Sequence, residues 1–103
     1  MLAGFDSAAA VIKDTMSLYP EVARAYIFGS YAANQATEDS DLDIIVELDD
    51  NIGLKFIDLI NKVEELTGVE VDMITIEQAQ SLEEKYGYEI LNIARTVYEK
   101  KQH

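Results

Sequence analysis

Val22-Ala23-Arg24-Ala25-Tyr26-Ile27-Phe28-Gly29-Ser30, followed by Ser40-Asp41-Leu42-Asp43-Ile44-Ile45-Val46, is the stretch on which the fold turns. The first segment is rich in β-branched and aromatic residues and stops at a glycine, which predicts a strand over 22–28 running into a tight turn. Ser30 to Gln35 then reads as a short helix. The second segment alternates: Leu42, Ile44, Val46 and Leu48 share one face, and Asp41, Asp43, Ile45 and Glu47 the other. A second strand over 41–48 follows, apolar behind and acidic in front.

Working outward, Phe5, Ala8, Ile12, Met16 and Tyr19 recur at helical spacing, with Asp6 or Ser7 able to cap the start and Pro20 marking the end. Phe56, Leu59, Ile60, Val63 and Leu66 form an apolar stripe between Lys55, Asp58, Lys62 and Glu65, and Gly68 suits a left-handed C-terminal cap. Val69 to Ile74 alternates again and predicts a third strand, with Asp72 at its centre. Thr75 with Gln78 three residues later resembles a capping box, opening a helix to about Glu84. Gly87 interrupts it, Tyr88 to Ala94 can make another helical turn or two, and Thr96 to Tyr98 reads as a short edge strand. The order predicts an α/β (α+β) fold with a small mixed sheet and helices packed on one face.

Composition narrows the functional classes. The 103 residues suit a single domain over 1–103, and 49% apolar content argues for a packed core. There is no cysteine and only His103, so a metal would have to be held by oxygen ligands. Neither a signal peptide nor a membrane span is legible at the start or within the chain, which points to a cytoplasmic protein with no membrane contact. Twenty acidic residues against eight basic ones give a formal net charge of -12. Such a surface repels nucleic acid in the absence of cations, and either attracts a basic protein partner or serves solubility alone.

The chemistry is carried by the acids and the glycine turn. Asp41 and Asp43, two apart in a strand, have Cα atoms roughly 6.7 Å apart and side chains on one face; a neighbouring strand about 4.8 Å away would bring Asp72 beside them. Carboxylates gathered in this way repel one another unless a hard divalent cation such as magnesium is held between them. A glycine between strand and helix lets backbone N–H groups approach an anion, and Ser30 adds a hydroxyl. Asp39, Asp41 and Asp43 also imitate the opening of a calcium loop, but Ile44 stands where that loop needs glycine. Tyr31, Tyr86, Tyr88 and Tyr98 can be core, interface or adenine-stacking residues, with core favoured for most.

Phe28-Gly29-Ser30-Tyr31-Ala32 followed by Ser40-Asp41-Leu42-Asp43-Ile44-Ile45-Val46 resembles the minimal nucleotidyltransferases (MNT) of the DNA polymerase beta superfamily. The resemblance implies a polymerase-beta-like fold that takes ATP with one or two Mg2+ and passes a nucleotidyl group, AMP, to an acceptor hydroxyl. Asp41 and Asp43 would be metal ligands and Asp72 the third catalytic and metal-binding carboxylate; Gly29, Ser30 and Ser40 would contact the nucleotide. It further implies an antitoxin role, in which a tyrosine of a basic HEPN-domain toxin receives the AMP; the oligomeric state is left open. One departure stands out. The family commonly continues Gly-Ser-x-Ala-Arg-Gly, and here Ala33 and Asn34 occupy the last two places. Arg24, Lys55 or a partner residue are the candidates to replace the absent guanidinium. The alternative reading is a non-catalytic binding module of the same fold that neutralises its partner by contact.

Overall fold

The computed structural model describes residues 4–101. Its elements run α1 (Phe5–Met16), β1 (Val22–Phe28), α2 (Gly29–Ala32), β2 (Leu42–Leu48), α3 (Lys55–Thr67), β3 (Val71–Thr75), α4 (Ile76–Tyr86) and β4 (Arg95–Glu99). The strands form a mixed sheet in the order β3-β2-β1-β4. β1 lies antiparallel to β2 and β4, whereas β2 and β3, joined through α3, are parallel. A parallel pair needs such a crossover, and the helix that makes it also covers the sheet.

The main core is built from the apolar stripes. Ala8, Ile12 and Met16 of α1 and Leu59 and Val63 of α3 pack on Ala25, Ile27, Leu42, Ile44 and Val46, all fully enclosed. A register shift between Val22 and Arg24 lets Val22 face the same core as Ala25 and Ile27, which strict alternation forbids. Thr67, where an apolar residue would be the usual choice, is buried because its hydroxyl donates to the Val63 carbonyl at 2.7 Å. Gly68 closes α3 in the left-handed conformation at φ 74°, as its position predicts.

Several expectations are corrected. The helices are not confined to one face of the mixed sheet: α1 and α3 cover one side, and Ala79 of α4 packs with Ile45 and Ile90 on the other. Ile45 belongs to the face that carries the acids, and an isoleucine there needs its own cover. Neither Asp6 nor Ser7 caps α1; both lie inside it, Gly4 is the N-cap, and among the described residues no side chain bonds the first turn. Asp6 there still interacts favourably with the helix dipole. Tyr88 to Ala94 makes one turn at 91–93 in place of a longer helix, because the Glu83 carboxylate accepts the backbone N–H groups of Ile90 and Leu91 at 2.8 Å and folds the segment back. Tyr31 is core and Tyr98 packs against it, but Tyr86 and Tyr88 are exposed and stack on each other at 5.5 Å.

The capping box is present in both halves. Thr75 Oγ1 accepts from the Gln78 N–H, and Gln78 Oε1 accepts from the Thr75 N–H at 2.9 Å. Thr75→Ala is expected to lower stability by about 1 kcal/mol, a drop in melting temperature of roughly 4–8 °C. Thr75→Ser should restore most of it in a thermal denaturation series. Among the described residues no helix is long and apolar enough to cross a membrane.

Candidate active site

At the end of the sheet where β1 finishes, Asp43 faces Phe28 across the antiparallel pair and Asp72 across the parallel one. Directly opposed residues project to the same side, so the Asp43 and Asp72 side chains share the face that also carries Ile45 and Ile74. Asp41 sits just ahead of β2 and is exposed, as is Asp72; Asp43 between them is half-buried. The entry to β2 is pinned by the Leu42 N–H, which donates to the Glu70 carbonyl at 2.8 Å.

Electrostatics single out Asp43 as the centre of this group. Burial, then the Asp72 carboxylate, then Asp41, push its carboxyl up to about 6 from an ordinary 3.8. Among the described residues no three acidic, histidine or cysteine side chains close on one point as a ready-made metal cage. What the acids share is mutual repulsion focused on Asp43. A cation arriving there would relieve it, and an all-carboxylate donor set suits a hard divalent ion.

Gly29 is fitted to that carboxylate. Its φ is +70°, and a β-carbon at this position would collide with Asp43 Oδ2 and approach Asp43 Cγ to 3.2 Å. Glycine is therefore required twice, by the left-handed backbone and by the close approach. Phe28 precedes α2 in an extended conformation and no side chain caps the helix. Ser30 is half-buried, and its hydroxyl has no hydrogen-bond partner among the described residues. Ser40 is differently placed: its Oγ accepts from the Thr37 N–H at 2.8 Å and lies 3.3 Å from Thr37 Oγ1. Its hydroxyl shapes the turn that delivers Asp41.

The position of the family arginine is explained on the backbone side only. Ala33 follows α2, and Asn34 adopts φ 57°, the left-handed conformation that glycine takes readily and asparagine tolerates best among other residues. Neither cation suggested as a replacement is available. Arg24 donates to Glu99 at 2.7 Å and to Glu47 at 3.1 Å; Lys55 donates to Glu21 at 2.8 Å. Arg24 also lies opposite Glu47 at the other end of β1 and β2, roughly 13 Å along the strand from Phe28. The arginine at the correct end is Arg95, paired with Ile27 on β4 and laid over the Phe5 ring at 3.6 Å. Its location depends on β4 pairing with β1, for which the sequence carries no local signal.

Comparison with known proteins bears on the family and the fold. The family described as polymerase beta, nucleotidyltransferase matches residues 11–103. Protein adenylyltransferase MntA of Thermococcus cleftensis is 45% identical over 49 residues, covering 47% of this chain and 50% of its own. A Methanocaldococcus jannaschii relative is 46% identical over 52 residues, 48% of this chain and 52% of its own. The chain thus aligns with about half the length of these curated relatives. Among solved structures, a toxin–antitoxin crystal structure with AMP-PNP superposes with a TM-score of 0.73 at 20% identity, over 91% of this chain and 75% of that one. A tri-AMPylated Shewanella oneidensis HEPN toxin in complex with MNT antitoxin gives 0.67 at 18% identity, over 92% and 72%. At such identities the superpositions establish a shared fold. With a family match over nearly the whole sequence, a sheet of the same architecture and the glycine turn set against Asp43, the chain belongs to the polymerase beta nucleotidyltransferase family.

Proposed function

We propose that this protein is a magnesium-dependent protein adenylyltransferase that moves AMP from ATP to a hydroxyl of a partner protein, and that the partner is a basic HEPN-type toxin modified on tyrosine. The observation that carries the reading is Asp43, half-buried, set opposite Asp72 and against the open face of Gly29. Asp41, Asp43 and Asp72 would hold the metal, which when bound neutralises phosphate charge and favours departure of pyrophosphate. The backbone of Gly29 and the hydroxyl of Ser30 would orient the triphosphate, with Ser40 holding the loop behind Asp41. The acceptor oxygen attacks the α-phosphorus as the bond to the bridging oxygen breaks, its proton passes to Asp72, and pyrophosphate leaves. The net charge of -12 favours a basic partner, and the similarity to adenylyltransferases and to a toxin–antitoxin assembly supports the choice of acceptor. Action as one unit in the cytoplasm completes the proposal.

A second reading has its own observation. Ala33 leaves no guanidinium beside the turn, and Arg24 and Lys55 are tied up elsewhere, so the fold could silence its partner by contact alone. The test is to incubate the chain with labelled ATP, magnesium and the product of the adjacent reading frame, beside a variant carrying Asp41→Asn and Asp43→Asn. Label on the partner with wild type only is the expected result. Equal binding and silencing by both proteins, with no label transferred, would replace the enzyme by the contact module.

A further inference from the structure

Beside the start of α1 lies a cavity of about 470 Å3 whose wall includes Phe5, Asp6, Ser7, Tyr31, Asn34 and Arg95 and none of Asp41, Asp43 or Asp72. Arg95 is paired with Ile27, whose side chain enters the α1-covered core, so it projects to that face and away from Asp43. Its guanidinium rests on the Phe5 ring and makes no ion pair among the described residues, although the chain is strongly acidic. An arginine held flat on an aromatic ring keeps its N–H edges directed outward as a planar fork.

Tyr31 supplies an independent sign of a ligand. The residue is 3% exposed, and its hydroxyl has no hydrogen-bond partner among the described residues. Of the described side chains, only Glu21 has a fully enclosed oxygen without a partner, so the Tyr31 hydroxyl is not sealed in; it opens to the cavity the residue lines. A phenol held in the core with its hydroxyl at such an opening is positioned to donate to whatever fills the cavity. The third donor group is the start of α1. Gly4 brings no side-chain cap, and among the described residues the N–H groups of the first turn, beside Ser7, have no acceptor.

We infer that this cavity is an anion site for a phosphate-bearing ligand, held by the Arg95 guanidinium, the Tyr31 hydroxyl and the first turn of α1. It is separate from the acid row and does not depend on the transfer reaction. Asp6 is the one carboxylate on the wall and opposes the anion, which sets a sign for its removal.

With the full chain and no divalent metal, inorganic phosphate, pyrophosphate and ATP are titrated separately while the amide signals of Phe5, Asp6 and Ser7 and the side-chain signal of Arg95 are followed by NMR. At least one ligand is expected to shift these signals to saturation, and which one does identifies the source of the phosphate group. Arg95→Gln should weaken that binding about tenfold or more and Tyr31→Phe about threefold, whereas Asp6→Asn should tighten it. Circular dichroism confirms that the variants are folded. Absence of any saturating shift up to about 10 mM ligand, or an affinity unchanged by both Arg95→Gln and Tyr31→Phe, overturns the site.

Discussion

Asp43→Asn is expected to make the protein more stable at pH 8 and, in the same sample, to reduce nucleotidyl transfer by about three orders of magnitude. The activity loss follows from the proposed function, in which the removed carboxylate would hold the metal whose charge stabilisation is worth several kcal/mol of barrier. The stability gain follows from the direction of its proton affinity. Its carboxyl titrates at about 6 in the fold, against 3.8 for an ordinary aspartate, because of burial and the neighbouring Asp72 and Asp41. Below pH 4 the group is protonated in both folded and unfolded chains and makes no difference. Between about pH 4 and 6 the unfolded chain gives up this proton while the folded one keeps it, so the fold loses stability across that window and does not regain it at higher pH. The full shift corresponds to about 3 kcal/mol; discounted for the part of the side chain that solvent reaches, about 1 kcal/mol remains. Melting temperatures should therefore rise by roughly 4–8 °C in the variant at pH 8, and the two proteins should converge near pH 4. Added magnesium should raise the wild-type melting temperature and leave the variant nearly unchanged. A variant less stable than wild type at pH 8 would show that Asp43 is a structural residue.

The side taken by Asp43 was legible because a strand has a period of two; Asp41, expected to open that strand, lies just ahead of β2 instead, so the alternation does not reach it. That Asp72 stands beside Asp43 was a conditional expectation, resting on β3 returning parallel to β2 in one register; the crossover through α3 supplies that condition. β1 was read to its boundaries, since Val22 to Phe28 is a β-rich run ended by glycine. Where the reading failed, the deciding contact was distant in sequence. Ile45 looked like a member of an open acidic face, and only α4 and Ile90 explain its burial. The 88–94 segment has helical composition, yet two hydrogen bonds donated by the Ile90 and Leu91 N–H groups to the Glu83 carboxylate override it. Arg24 and Lys55 were plausible cations by composition and failed by position, while Arg95 was placed at the active end of the sheet by a strand pairing that no local pattern encodes.

Gly29→Ala is the substitution from which the largest structural loss is expected, and its size can be divided into two parts. The left-handed backbone at φ +70° costs an alanine about 1–2 kcal/mol in any surroundings. The new β-carbon would also occupy the place of the Asp43 carboxylate, and Asp43 cannot withdraw freely because Asp72 lies opposite it on the neighbouring strand. Crowding of this kind adds about 1–3 kcal/mol, so the melting temperature should fall by about 10 °C or more. Transfer activity should fall with it, since either the glycine turn or the carboxylate must move. The two parts separate in a double-mutant cycle. In an Asp43→Ala background the collision is gone, and Gly29→Ala should then cost only its backbone share, giving a coupling of about 1–3 kcal/mol between the two positions. If the two changes simply added, the carboxylate would not lie against the turn, and the close fit of the glycine to the central acid would have to be abandoned.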